Sequence, residues 1–142
     1  SASFKNDTKV QDMLKDVKEC FIAYEFLNYE PQDLTSDYSV LNDNKMIFQF
    51  SKEFNIKESD KEKINLFKNM INENEFQISI FKPPDESGIS NELAFAEWDW
   101  NEIIQNGYDI RNKDIILYDP NQTIEMGTMT ISFRGIDFLK KM

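Results

Sequence analysis

Short segments in which polar and apolar side chains alternate constrain the fold of this chain most. Residues 127–134, which read Gly-Thr-Met-Thr-Ile-Ser-Phe-Arg, alternate strictly. Residues 75–81 also alternate, with Phe76, Ile78 and Ile80 on one face. Successive side chains of a strand point to opposite faces, so this period predicts antiparallel strands with one face on a core.

Four further segments have strand character. Residues 20–29 place Ile22, Tyr24 and Phe26 on one face, and the other face is also largely apolar, so burial on most of both sides is expected. The other three segments are residues 46–54, in which Met46, Phe48 and Phe50 lie on one face, residues 92–98 and residues 114–118.

Two helices are predicted. Residues 7–17 have an apolar stripe (Val10, Met13, Leu14 and Val17) behind the potential caps Asn6 and Asp7, although this segment could instead supply a first strand. Residues 59–71 open with the capping box Ser59-x-x-Glu62 and have an apolar face made by Ile64, Phe67, Met70 and Ile71.

Polar loops separate these elements. Residues 31–45 form a long loop with an extended piece at 38–41, and residues 119–122 read as a turn. Asp99 is placed to cap a helical turn through Gln105, with Gly107 at its end. With six or seven strands and few helices, the sequence predicts an all-β antiparallel sandwich over residues 19–142, preceded by a helical or strand extension at 1–18.

Composition removes several function classes. Histidine is absent from the 142 residues and Cys20 is the single cysteine, so imidazole-based catalysis, an internal disulfide and a cysteine zinc site are excluded. No catalytic or cofactor-binding motif occurs, and an enzyme is not expected. The 26 acidic and 16 basic residues give a charge of −10, which argues against nucleic acid and against charge-driven docking on anionic membranes.

Six motifs, in order, then resemble one divergent group of C2 domains. Residues 21–30 are similar to its signature strand and are followed, as in the group, by Gln32 and Thr35. The other similar segments are 41–48, the helix 59–71, residues 75–81, residues 93–98 with the turn to Ile103 and Ile104, and residues 127–134. The group's proline before the second strand is absent here, Asn44 lying near its place, and Phe81 replaces its histidine.

The group comprises the C2 domains of retinitis pigmentosa GTPase regulator-interacting proteins and related ciliary and basal-body proteins. The resemblance implies a C2-like β-sandwich that acts as an interaction module in a ciliary, basal-body or centriolar scaffold. It also implies independence from calcium, because this branch generally lacks the calcium site of typical C2 domains. A location in the cytoplasm and cytoskeleton follows from the same resemblance.

A calcium site would need about five carboxylates gathered from two loops, because Ca²⁺ takes 6–8 oxygen ligands. The weak candidates are Asp33, Asp37 and Asp43 in the first loop, and Asp85 and Glu86 in the second. The second loop lacks the paired Asp-x-Asp of C2 calcium loops, which favours solvated loop charges. A calcium- or phospholipid-responsive membrane domain is nevertheless kept as the alternative function.

Three aromatic residues are the interaction candidates: Tyr38, Phe81 and Trp100. Trp98, at the end of a strand, and Cys20, at the start of an apolar strand, are expected in the core. The expected partner is a protein with a basic surface. Residues 1–18 could also belong to a longer coiled coil in the full-length chain.

Overall fold

The computed structural model describes residues 1–27, 29–54, 56–57, 59–73, 76–102 and 110–134. Its eight strands are β1 (Ala2–Phe4), β2 (Glu19–Tyr24), β3 (Ser39–Val40), β4 (Lys45–Met46), β5 (Gln77–Phe81), β6 (Glu92–Glu97), β7 (Ile110–Tyr118) and β8 (Glu125–Phe133). The described residues also include the helices α1 (Thr8–Leu14) and α2 (Lys61–Glu73) and a 3-10 turn at Pro31–Leu34. None of the described helices is long and apolar enough to cross a membrane.

All eight strands form one sheet in the order β3-β2-β5-β6-β7-β8-β1-β4, and every neighbouring pair is antiparallel. The all-β antiparallel prediction is therefore confirmed. The two expected layers are the halves of one sheet, which the β6–β7 ladder joins through Phe95–Tyr118 and Ala96–Leu117. Buried residues from both halves, such as Ile80 of β5 and Met129 of β8, lie in one core cluster.

The two end strands of the sheet, β3 and β4, follow each other in the chain. A tight turn joins them, in which the N–H of Lys45 donates to the Asn42 carbonyl and the N–H of Asn42 to the Lys45 carbonyl. Asp43 and Asn44 both have positive φ in this turn, a conformation that Asn and Asp adopt more readily than other non-glycine residues. The chain thus crosses from one half of the sheet to the other within four residues.

The N-terminal segment contains both a strand and a helix, the two alternatives that its sequence left open. β1 pairs with β8 and with β4, and the N–H of Thr130 donates to the Ser1 carbonyl at 2.7 Å. Asp7 caps α1 by accepting from the N–H of Val10 at 2.9 Å, and the α1 stripe, with Val10 and Leu14 fully buried, packs on the main core.

A second core cluster is strongly aromatic and lies under α2. It contains Phe26, Leu34, Phe67, Trp98 and Trp100, all buried. Phe67 of α2 meets the Phe26 and Trp100 rings edge to face, with centroids 5.2 Å and 5.3 Å apart. Such pairs add about 0.5–1.5 kcal/mol each beyond the burial of their area, so this cluster fixes α2 on the sheet.

Several predicted boundaries were wrong. The strand predicted over 46–54 ends at Met46, although Phe48 and Phe50 do pack on the core as the alternation requires. Asp60, not Ser59, caps α2, because its carboxylate accepts from the N–H of Lys63 at 3.3 Å.

The remaining boundary differences concern strands and one turn. β2 ends at Tyr24, whereas β7 and β8 begin earlier than predicted, at Ile110 and Glu125. Asp99 caps a turn as expected, accepting from Asn101 at 3.0 Å and Glu102 at 3.2 Å. Its predicted continuation through Ile103, Ile104, Gln105 and Gly107 lies outside the described residues, as do Asn28 and Glu75.

Candidate functional site

Three aromatic side chains form a row across β2, β5 and the residue before β3. The Phe21 ring stacks on Phe81 with centroids 5.5 Å apart and meets Tyr38 edge to face at 5.6 Å. Phe21 and Phe81 are direct partners in the β2–β5 ladder. Two predicted interaction residues, Tyr38 and Phe81, are thus brought together, and Phe21 joins them into what we term the aromatic row.

The aromatic row lies on the outer face of the sheet. Cys20 and Ile22, which flank Phe21, are buried in the main core, so the alternation of β2 turns Phe21 to the opposite face. Phe21 and Phe81 are half-buried, and Tyr38 is 50% exposed. The row therefore presents aromatic surface away from the core.

Further apolar side chains are exposed close to this row. Val40 of β3 is 67% exposed and pairs with Glu19, beside Phe21. Ile47 is 69% exposed, and its carbonyl accepts from the Ser39 hydroxyl at 2.7 Å. Among the described strands β3 is at one end of the sheet, beside β2, so the patch continues to that end.

The charges on these strands have one sign. β2, β3, β5 and β6 contain three charged residues, Glu19, Glu92 and Glu97, and no lysine or arginine. Glu92 pairs with Phe81 across the β5–β6 ladder and accepts from the Ser79 hydroxyl at 2.9 Å. The nearest basic residues in sequence, Lys18 and Lys82, flank these strands. Lys18 and Lys82 line the same small cavity as Glu19, so lysines and carboxylates both border the aromatic row, while the charged side chains of the strands themselves are all acidic.

The same outer face continues onto β6 and β7. Phe95 pairs with Tyr118, and their ring centroids lie 6.0 Å apart. Phe95 is only 6% exposed, although it belongs to neither core cluster. Phe95 therefore covers the outer face of β6, while Tyr38 remains the most exposed ring of the aromatic row.

Trp100 is not a surface residue. It is 1% exposed and packs against Phe67, Phe76 and Phe133 in the second core cluster. Its position at the first turn after β6 directs the ring under α2, which removes it from the interaction candidates. The predictions that Trp98 and Cys20 are buried are confirmed.

The five weak calcium candidates are all exposed. Asp33 lies in the 3-10 turn, Asp37 and Asp43 lie on either side of β3, and Asp85 and Glu86 lie after β5. Asp85 uses its carboxylate locally, accepting from the N–H groups of Ser87 at 2.9 Å and Ile89 at 3.1 Å. Among the described residues, no three Asp, Glu, His or Cys side chains are close enough together to hold a metal ion.

The buried Cys20 and the half-buried Tyr24, both on β2, have strongly raised pKa values. Burial raises the pKa of the Cys20 thiol to about 11, an effect that Lys82 opposes and Glu19 reinforces. Burial also raises the pKa of the Tyr24 phenol to about 12. Both groups are therefore neutral at physiological pH, and neither is activated as a nucleophile or base.

Comparison with known families gives a match over the whole chain. A profile described as Retinitis pigmentosa G-protein regulator interacting C-terminal matches residues 1–142. The chain belongs to this family. A comparison with curated proteins gives no match. Membership of the Retinitis pigmentosa G-protein regulator interacting C-terminal family confirms the resemblance found in the sequence motifs and indicates a protein-interaction module.

Sequence reasoning missed one residue of the site, Phe21, which links Tyr38 to Phe81. The signal was present, because the outer face of the 20–29 segment carries Phe21, Ala23 and Leu27. Those residues indicated burial on both faces, whereas in this family member Phe21 lies half-buried in the aromatic row. The register that makes Phe21 and Phe81 direct neighbours is a tertiary property.

Proposed function

We propose that this chain is a non-catalytic module that binds a retinitis pigmentosa G-protein regulator within a ciliary, basal-body or centriolar scaffold, without calcium. The observation that carries the proposal is the family match over residues 1–142, because the family is described by its interaction with that regulator. The exposed aromatic row supports it, since aromatic residues are enriched in the cores of protein interfaces.

The charge of the chain supports a protein partner with a basic surface. A net charge of −10 attracts a basic partner over a distance of about one Debye length and accelerates its encounter. The same charge repels anionic lipid headgroups. The electrostatics thus favour a protein over a membrane.

Independence from calcium is supported by the placement of the acidic candidates. The five carboxylates lie in three separate turns and loops, and those of the second loop follow β5 without forming a metal-sized cluster among the described residues. Ca²⁺ needs 6–8 oxygens around one point. All five are exposed, and Asp85 uses its carboxylate in local hydrogen bonds, so solvated loop charges account for these residues.

Calorimetry with a purified retinitis pigmentosa G-protein regulator tests the binding directly. We expect a saturable complex with the same affinity in EDTA and in millimolar Ca²⁺, and an association rate that falls as salt increases. Absence of binding in both buffers would refute the proposed function. Binding that requires Ca²⁺, or that transfers to anionic vesicles only when Ca²⁺ is added, would favour the membrane alternative.

Location in the cell is a separate test. The chain fused to a fluorescent protein should concentrate at the basal body or cilium of a ciliated cell. Depletion of the regulator should reduce that signal if the interaction places the module there. A diffuse signal that ignores the regulator would contradict the scaffold part of the proposal.

A further inference from the structure

We propose that the aromatic row, together with Val40, is the surface on which this module binds its protein partner. This inference rests on the proposed function and adds to it the place and the chemistry of recognition. The partner presents an apolar anchor, inserted against Tyr38 and Phe21, with basic side chains around it that face Glu19 and Glu92.

Exposed apolar side chains surround the aromatic row. An edge strand with exposed hydrophobic side chains is a liability for an isolated domain, because it promotes unwanted association. Tyr38, Val40 and Ile47 are nevertheless all exposed within ten consecutive residues of this chain. Phe21 contacts Tyr38 on one side and stacks on Phe81 on the other, so a partner side chain meets rings that already hold one another in place.

Carboxylates beside the row suit a partner with basic side chains. Glu92 pairs with Phe81 at the β6 end of the row, and Glu19 pairs with Val40 two residues before Phe21, so carboxylates border one end and one side of the row. The absence of lysine and arginine from β2, β3, β5 and β6 leaves these carboxylates without a cation from the same strands. A lysine or arginine of the partner could pair with them at the rim while its apolar anchor occupies the centre, as in ordinary interfaces.

Exposed positions give the sharpest test, because their substitution disturbs the fold little. Tyr38→Ser and Val40→Ser remove apolar surface from the row, and Leu66→Ser, at an exposed position of α2, is the matched control. Glu19→Lys reverses a charge beside the row, and Glu62→Lys, on the exposed side of α2, is its control. Circular dichroism and thermal unfolding of each variant verify the fold.

Binding is measured with the retinitis pigmentosa G-protein regulator and, in parallel, with vesicles containing phosphatidylserine. We expect the Tyr38→Ser and Val40→Ser pair to weaken regulator binding by about tenfold or more, and Leu66→Ser to change it less than about twofold. Glu19→Lys should slow association several-fold at low salt, an effect lost as salt rises, whereas Glu62→Lys should not.

The outcomes separate the two proposals. If the unaltered chain binds the regulator and the row variants bind equally well, the row is not the docking surface, and the proposed function stands. If the unaltered chain does not bind, the proposed function fails and this inference fails with it. If the row variants lose vesicle binding but retain the regulator, the row is a lipid surface, which also overturns the inference.

Discussion

Gly127 of β8 lies directly against the Ser3 carbonyl of β1. A Cβ at position 127 would overlap that oxygen and lie 2.8 Å from the Cα of Phe4. Both atoms belong to the backbone, so they cannot move aside without breaking the β1–β8 ladder. Gly127→Ala should therefore lower the free energy of unfolding by about 2–4 kcal/mol, measured by urea denaturation.

Thr128→Ala is the control for this prediction, because Thr128 is the next residue of β8 and its side chain is exposed. Its cost should stay below about 1 kcal/mol. Equal stability of Gly127→Ala and the unaltered chain would show that β1 does not pack on Gly127 in solution.

Asp119 makes the stability of the fold depend on pH. Its carboxylate accepts from the N–H groups of Thr123 and Ile124, both at 2.7 Å, and from the Thr123 hydroxyl at 2.9 Å. Burial alone would raise the pKa of this carboxyl, but the hydrogen bonds from Ile124 and Thr123 hold it below the usual 3.8. A carboxylate whose pKa is lower in the folded than in the unfolded state stabilises the fold at pH values above its unfolded pKa. This contribution is lost as the pH falls through the folded pKa.

Asp119→Asn should therefore cost about 1–3 kcal/mol near neutral pH, and the cost should shrink as the pH falls below about 4. The quantity to measure is the difference between variant and unaltered chain, because hydrogen bonds also lower the pKa of Asp85 in both proteins. A difference that stayed constant from neutral pH to below the folded pKa would contradict this origin of the stabilisation.

Cys20 should be protected from thiol reagents in the folded chain. It is fully buried, and with a pKa of about 11 only about one thiol in a thousand is ionised at pH 8. Reaction with an aromatic disulfide reagent should be at least about a hundredfold slower than in urea above the unfolding midpoint. Cys20→Ala gives the background, and rapid labelling without denaturant would show that β2 opens.

The Phe21 and Phe81 rings should stabilise the fold jointly. In a double-mutant cycle of Phe21→Ala and Phe81→Ala, the coupling in unfolding free energy should be about 0.5–1.5 kcal/mol, because the rings stack across paired strands. A second cycle that combines Phe21→Ala with Leu66→Ala, at an exposed position of α2, is the control, and its coupling in unfolding free energy should be close to zero. A coupling near zero would indicate that the two rings do not stack in solution.

Much of the fold follows from period and turn chemistry. The alternation of residues 127–134 predicted β8, and the apolar face of residues 59–71 predicted α2. Prediction was weakest where tertiary pairing decides the outcome. Residues 47–54 alternate like a strand, yet no described strand pairs with them beyond Met46. The pattern therefore predicts which side chains face the core, but not whether the segment pairs in a sheet.

The candidate site shows the same division. Tyr38 and Phe81 are 43 positions apart and meet through Phe21, a relation set by the registers of β2 with β3 and β5. Tryptophan is a residue type that is enriched in interfaces, and only the position of α2 shows that the ring of Trp100 is covered. Local propensity cannot distinguish an exposed aromatic residue from one covered by a distant helix.

The pairing of β1 with β8 also matters during protein synthesis. Ala2 lies beside Met129, so the first strand leaves the ribosome long before its partner exists. At about 5–20 residues per second, that delay is on the order of ten seconds. During this time Phe4 and Met46 lack the neighbours that bury them in the finished sheet. A nascent chain of this family member therefore keeps these apolar side chains accessible until β8 has been made.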